Sequence, residues 1–112
     1  MSAARSPITT HVLDVAKGRP AAGVAVHLER ATDGGFASLA SGVTDDDGRC
    51  STLLSPEHAL EAGVYRISFE VGAYQAGFYP SVSIDFRVEA TDEHYHVPLL
   101  LSPYGYSTYR GS

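Results

Sequence analysis

The feature that most constrains this chain is a two-residue period of hydrophobicity. In Val82-Ser83-Ile84-Asp85-Phe86-Arg87-Val88-Glu89, the apolar residues Val82, Ile84, Phe86 and Val88 project to one side and the polar residues to the other. That alternation marks a half-buried strand. Tyr65-Arg66-Ile67-Ser68-Phe69-Glu70-Val71 repeats it, and Val24-Ala25-Val26-His27-Leu28-Glu29 is a shorter copy that turns His27 away from the core.

Gly, Pro and Asp punctuate the runs. Lys17-Gly18-Arg19-Pro20 separates the first two strands, while Asp33-Gly34-Gly35 and Asp45-Asp46-Asp47-Gly48 read as turns. Strands are expected near residues 8–15, 23–30, 37–43, 49–54, 64–71, 82–90, 95–102 and 105–110. Many short strands at this spacing predict an all-β, two-sheet sandwich of about eight strands. One or two short helical turns are expected. Ser55-Pro56-Glu57-His58-Ala59-Leu60 offers a capping serine and a first-turn proline, and residues 72–77 offer a second turn. The expectation is one domain over residues 1–112, with residues 1–6 disordered.

Charge and composition exclude several classes. The net charge is −5 and the eight Lys and Arg are scattered, so no basic stripe exists for nucleic acid. The single cysteine, Cys50, cannot form a disulfide within the chain. No apolar run approaches membrane-spanning length, and Met1 to Thr10 lacks the apolar core of a secretory signal, so the expected location is cytoplasmic with no membrane partner.

One segment breaks the alternation. Val97-Pro98-Leu99-Leu100-Leu101 is apolar on both faces. A sheet with one face on its own core does not read this way, and the chain has too little helix to cover the second face. This predicts an oligomer built through sheet contacts. Pro98 has no N–H to give a ladder and is expected at an edge or a bulge.

The candidates for chemistry lie on or beside these strands. His11, in Thr9-Thr10-His11-Val12-Leu13-Asp14, shares a face with Leu13 and Val15. Its structural alternative is a core or interface histidine bonded to backbone. His94 and His96 stand at i and i+2, on one side of a strand; a third ligand would make them a zinc site, and a surface or structural role is the alternative. Arg49 follows the acidic turn, which fails as a calcium loop because its fifth position is Arg49 and its twelfth is Pro56. The ending is rich in tyrosine: Tyr104, Tyr106 and Tyr109 precede Arg110, Gly111 and Ser112. It reads either as a docked final strand or as an edge strand using tyrosine for its β propensity.

Taken together, these segments resemble the transthyretin-like family, and more closely its 5-hydroxyisourate hydrolase branch. The resemblance runs through Ile8-Thr9-Thr10-His11-Val12-Leu13-Asp14, Gly18-Arg19-Pro20-Ala21, Asp47-Gly48-Arg49, Gly63-Val64-Tyr65 and Phe78-Tyr79-Pro80. It closes with the two most specific blocks, Tyr95-His96-Val97-Pro98-Leu99-Leu100-Leu101-Ser102-Pro103 and Tyr109-Arg110-Gly111-Ser112. The resemblance implies a homotetramer built as a dimer of dimers, with sites in a channel where the dimers meet. It implies hydrolysis of 5-hydroxyisourate to a carboxylated ureidoimidazoline (2-oxo-4-hydroxy-4-carboxy-5-ureidoimidazoline) on the way from urate to allantoin, with no metal and no organic cofactor.

Carried over by position, His11, Arg49 and His96 match the family's catalytic motifs, and Tyr109, Arg110, Gly111 and Ser112 its substrate-binding ending. A histidine titrating near neutrality suits a water-activating base, and His11 and His96 both qualify. Arg49 would anchor substrate oxygens and the developing oxyanion, while Ser112 would offer its hydroxyl or a terminal carboxylate. Three other readings compete: a small-ligand carrier on the same fold, a zinc hydrolase built on His11, His94 and His96, and a β-domain without chemistry.

Overall fold

The alternating runs become strands that close over one core. The computed structural model describes residues 5–112, which form nine strands and one short helix. They are β1 (Ile8–Asp14), β2 (Arg19–Pro20), β3 (Ala25–Thr32), β4 (Gly35–Val43), β5 (Arg49–Cys50), β6 (Gly63–Phe69), α1 (Val71–Tyr74), β7 (Val82–Val88), β8 (Tyr95–Ser102) and β9 (Gly105–Thr108).

One sheet has the order β2-β1-β8-β9, with β5 alongside β2 on the free side of β1; the other has the order β4-β3-β6-β7. Their facing sides bury Ile8 and Val12 from β1, Val26 and Leu28 from β3, Tyr65, Ile67 and Phe69 from β6, and Val97, Leu99 and Leu101 from β8. Each such aliphatic or aromatic side chain contributes about 1.5–3 kcal/mol by leaving water. His27 stays exposed on the outer side of β3, as the alternation requires.

Several local expectations change. Residues 19–20 are not merely a turn, because Arg19 and Pro20 pair with Asp14 and Leu13. The strand expected over residues 49–54 stops after Cys50. Beyond it the chain turns inward, burying Leu53 and Leu54, while Leu54 N donates to Ser6 Oγ at 3.1 Å. Of the expected disorder over residues 1–6, residues 1–4 lie outside the described residues. Ser6 is buried and donates its N–H to Ser51 O at 2.9 Å, which ties the start of the chain to this inward turn. The proposed helical turn at Ser55–Leu60 is a single reverse turn closed by His58 N on Ser55 O. The second helical turn, expected over residues 72–77, is α1 at Val71–Tyr74.

Pro98 lies neither at a sheet edge nor at a bulge. Strand β8 is internal, parallel to β1 on one side and antiparallel to β9 on the other. The proline instead interrupts the ladder on the β9 side. Pairing runs from Ser102–Gly105 to Leu99–Thr108, lapses, and resumes in the same register as the isolated His96–Gly111 bridge. With no N–H at position 98, its carbonyl accepts from the Thr108 side-chain hydroxyl at 2.7 Å. No helix among the described residues is long and apolar enough to cross a membrane.

Candidate active site

The parallel pairing of β1 with β8 assembles the site. It sets Thr9 beside His96, His11 beside Pro98 and Leu13 beside Leu100. Ile8, Val12, Val97 and Leu99 face the core, so Thr9, His11, His96 and Pro98 share the outer face of this sheet.

Arg49 arrives from the opposite side of β1, where β5 pairs it with His11. The acidic turn makes this delivery possible. Asp45 Oδ1 accepts from Asp47 N at 2.9 Å and from Arg49 N at 3.0 Å, folding the turn on itself. Gly48 adopts φ +75°, and a Cβ there would lie 2.5 Å from Val12 O. Glycine thus allows both the left-handed backbone and the close approach to β1. Among the described residues no carboxylate forms an ion pair with the exposed Arg49 guanidinium.

The electrostatics follow from this crowding. Burial holds His96 below the ordinary histidine range, and the charges of Arg49, His94, His11 and Arg5 push it the same way. His94 is lowered by burial and by Arg5. A neutral, partly desolvated imidazole beside an unpaired guanidinium can accept a proton from water and keep a neighbouring anion stabilised. Within the same cluster, the buried Nε2 of His11 has no hydrogen-bond partner among the described residues.

The ending lies over His96. Gly111 N donates to His96 O at 2.9 Å. A Cβ on Gly111 would sit 2.6 Å from His96 Cδ2 and 3.2 Å from Pro98 Cγ, so the bare glycine lets the backbone lie against the imidazole. Arg110 lines the same cavity as His96, and its guanidinium donates to the His94 carbonyl at 3.4 Å. The guanidinium also donates to Glu93 Oε1 at 3.0 Å and lies 4.5 Å from the centre of the Tyr95 ring, which clamps the ending to the segment before β8. Tyr109 is 57% exposed and lines a cavity of about 330 Å³ between β7 and the ending, together with Ile84, Phe86 and Val97. Ser112 is exposed beyond Gly111.

Two further residues join the cluster around His96. Thr9 was legible only as a neighbour of His11, and His94 only as a zinc candidate. Thr9 Oγ1 lies 2.8 Å from His96 Nδ1 and 2.9 Å from His94 Nε2. The paired histidines therefore converge on a hydroxyl. Among the described residues no three His, Cys, Asp or Glu side chains are grouped to hold a metal ion.

The two-sheet sandwich that carries this cluster is a fold that known proteins share. The chain belongs to the HIUase/Transthyretin family, whose model matches residues 8–111. It is 49% identical to the uric acid degradation bifunctional protein of Arabidopsis thaliana; that match covers 96% of this chain but only 38% of the plant protein, so the chain spans well under half of that relative. It is 48% identical to the 5-hydroxyisourate hydrolase of Halalkalibacterium halodurans, over 94% of this chain and 97% of that one. Among solved structures, sea bream transthyretin in complex with thyroxine superposes with a TM-score of 0.87 at 35% identity, covering 95% of each chain.

Proposed function

We propose that this chain is a 5-hydroxyisourate hydrolase acting in urate degradation. The observation that carries the reading is the convergence of His11, Arg49 and His96 on one sheet face, with Gly111 packed on the His96 ring. The full-length likeness to a hydrolase of the same name supports it.

In the proposed mechanism Arg49 and His11 Nε2 bind the oxygens flanking the scissile ring bond. His96 Nε2 takes a proton from water as that water attacks the acyl carbon, and the carbon–oxygen bond forms. Arg49 stabilises the resulting oxyanion; in other acyl-transfer sites one such donor is worth about 3–4 kcal/mol. The intermediate then collapses, the carbon–nitrogen bond breaks, and His96 returns its proton to the leaving nitrogen. The ending, through Tyr109, Gly111 and Ser112, walls one side, and Arg110 acts through Glu93 and Tyr95 to hold that wall. No step calls for a metal or an organic cofactor.

The proposed assembly is a homotetramer, a dimer of dimers. The edge strand β7 leaves Ile84 and Phe86 only half-buried, and the outer face of β1 and β8 carries Leu13, exposed Val15, Pro98 and Leu100. Further copies of the chain would cover both regions. Cytoplasm is the proposed location; the buried free thiol of Cys50 fits a reducing compartment.

A carrier role is the second reading, favoured by the likeness to a transthyretin that binds thyroxine. The two part on one assay. When 5-hydroxyisourate is generated in situ with urate oxidase, a hydrolase speeds its decay in proportion to protein added, and a carrier leaves the spontaneous rate unchanged.

A further inference from the structure

We propose that Thr9 is a positioning residue for the hydrolytic site: its hydroxyl holds His96 with the proton on Nδ1 and the lone pair on Nε2, and donates its own hydrogen bond to Nε2 of His94. This deepens the hydrolase reading and rests on it.

The geometry is a three-atom chain. Thr9 Oγ1 stands 2.8 Å from His96 Nδ1 and 2.9 Å from His94 Nε2. Thr9 is 2% exposed, so water does not compete freely for its hydroxyl. The two rings are nearly parallel, at 20° with centroids 6.5 Å apart, and both reach the hydroxyl from β8 and the residue before it. The parallel register that pairs Thr9 with His96 fixes the arrangement in backbone, not only in side chains.

Proton counting does the rest. A hydroxyl carries one proton and can accept others' protons at its lone pairs. Between two neutral imidazoles it therefore donates to one ring and accepts from the other, so the tautomers of His94 and His96 are locked in opposite senses at their contact atoms. Two polarities are available. In one, His96 Nδ1–H donates to Thr9, and Thr9 donates to His94 Nε2. In the other, His94 Nε2–H donates to Thr9, Thr9 donates to His96 Nδ1, and His96 Nε2 carries a hydrogen.

Only the first polarity leaves His96 a base on its open side. It also serves the charged state. When His96 gains a proton on Nε2, its Nδ1–H becomes a stronger donor, and the chain through Thr9 to neutral His94 tightens with it. This matters where burial, Arg49, His11 and Arg5 all oppose a cation on His96. Without the hydroxyl, Nδ1 of His96 and Nε2 of His94 would both lose the partner they share. A serine or threonine is the smallest group that meets both needs, and threonine keeps the β-branched shape a strand favours.

The test uses the full chain, the Thr9→Val and Thr9→Ser variants, and two readouts. Valine matches threonine in shape and removes only the hydroxyl; serine keeps the hydroxyl. Thr9→Val is expected to lower kcat for 5-hydroxyisourate by about 10- to 100-fold with KM little changed, within the range a misoriented base costs. Thr9→Ser is expected to recover most of that loss. Ring-nitrogen NMR of the uniformly ¹⁵N-labelled wild type near pH 8 is expected to show His96 protonated on Nδ1 and His94 unprotonated on Nε2. A wild-type His96 protonated on Nε2 overturns the assignment, as does a Thr9→Val variant with wild-type kcat or a Thr9→Ser variant as impaired as Thr9→Val. The tautomers are read on the unmutated protein without substrate, so they decide the matter even if Thr9→Val fails to fold. If the wild type does not turn over 5-hydroxyisourate, the hydrolase reading falls, while the tautomers still judge what Thr9 does to the two rings.

Discussion

The backbone of Gly111 rests on the ring of His96: its N–H bonds the His96 carbonyl at 2.9 Å, and its Cα leaves no room for a side chain before His96 Cδ2. The ending is thus held to the candidate base by main chain and by shape together.

A methyl group there is predicted to separate them. Gly111→Ala would place its Cβ 2.6 Å from His96 Cδ2, nearer than such atoms pack, so the ending or the ring must shift. Because a 1 Å misplacement near reacting groups can cost about 100-fold, kcat/KM should fall by about 10- to 100-fold. The thermal midpoint should barely move, since Gly111 sits at the rim of the sheet. Steady-state kinetics paired with a melting curve check both halves.

Arg49 is predicted to act twice. Arg49→Ala should lower kcat by about 100- to 1,000-fold through loss of an oxyanion donor. It should also raise the basicity of His96, because the guanidinium is one of the charges holding that histidine down. The acid limb of kcat/KM would then move to higher pH. Arg49→Lys keeps the charge but loses the planar fork, so the acid limb should stay near its wild-type position while the rate remains impaired. A pH–rate profile of the three proteins separates the two effects.

Stability should fall on mild acidification. His94 and His96 are both held below the ordinary value of about 6.5 in the folded chain. The unfolded chain therefore binds more protons as the pH drops through 6.5, and the folded state loses ground from there down to the lowered values. Asp14 and Asp85 are also held below their ordinary values, so they act in the same direction in a lower pH window. Burial alone would raise Asp14, but bonds from Tyr74 and the Lys17 amide outweigh it, and Arg66 holds Asp85 down. Their contributions persist until the pH falls below about 3.9, the usual carboxylate value. Urea midpoints across this range should show two separate declines, and His94→Gln should shrink the upper one.

How much of this was legible beforehand depends on distance along the chain. Alternation in Val82–Glu89 and Tyr65–Val71 is a local signal, and the buried faces of β6 and β7 follow it residue by residue. His11, Arg49 and His96 were legible as members of motifs. Thr9 was not, because its role arises from a parallel pairing between segments 87 residues apart, which no local pattern encodes. Motif position groups Arg110 with the substrate-binding ending; its contacts with Glu93 and the Tyr95 ring join segments that lie apart along the chain and so carry no local signal. The inward turn after β5 is likewise non-local: Leu54 N donates to the Ser6 hydroxyl, far away along the chain.

The half-buried Ile84 and Phe86 on the β7 edge predict association. Light scattering should give a mass about four times that of one chain. Phe86→Asp should reduce that mass and lower turnover with it, as expected of a site walled by more than one copy.

The most direct test of the account follows 5-hydroxyisourate made in situ by urate oxidase, in the presence of the wild type, His96→Asn, or no protein. Decay should be proportional to wild-type concentration and unaffected by a metal chelator, and the His96→Asn rate should be reduced at least about 100-fold in a protein that still melts cooperatively. Decay at the spontaneous rate with the wild type, or undiminished turnover by folded His96→Asn, would contradict the account.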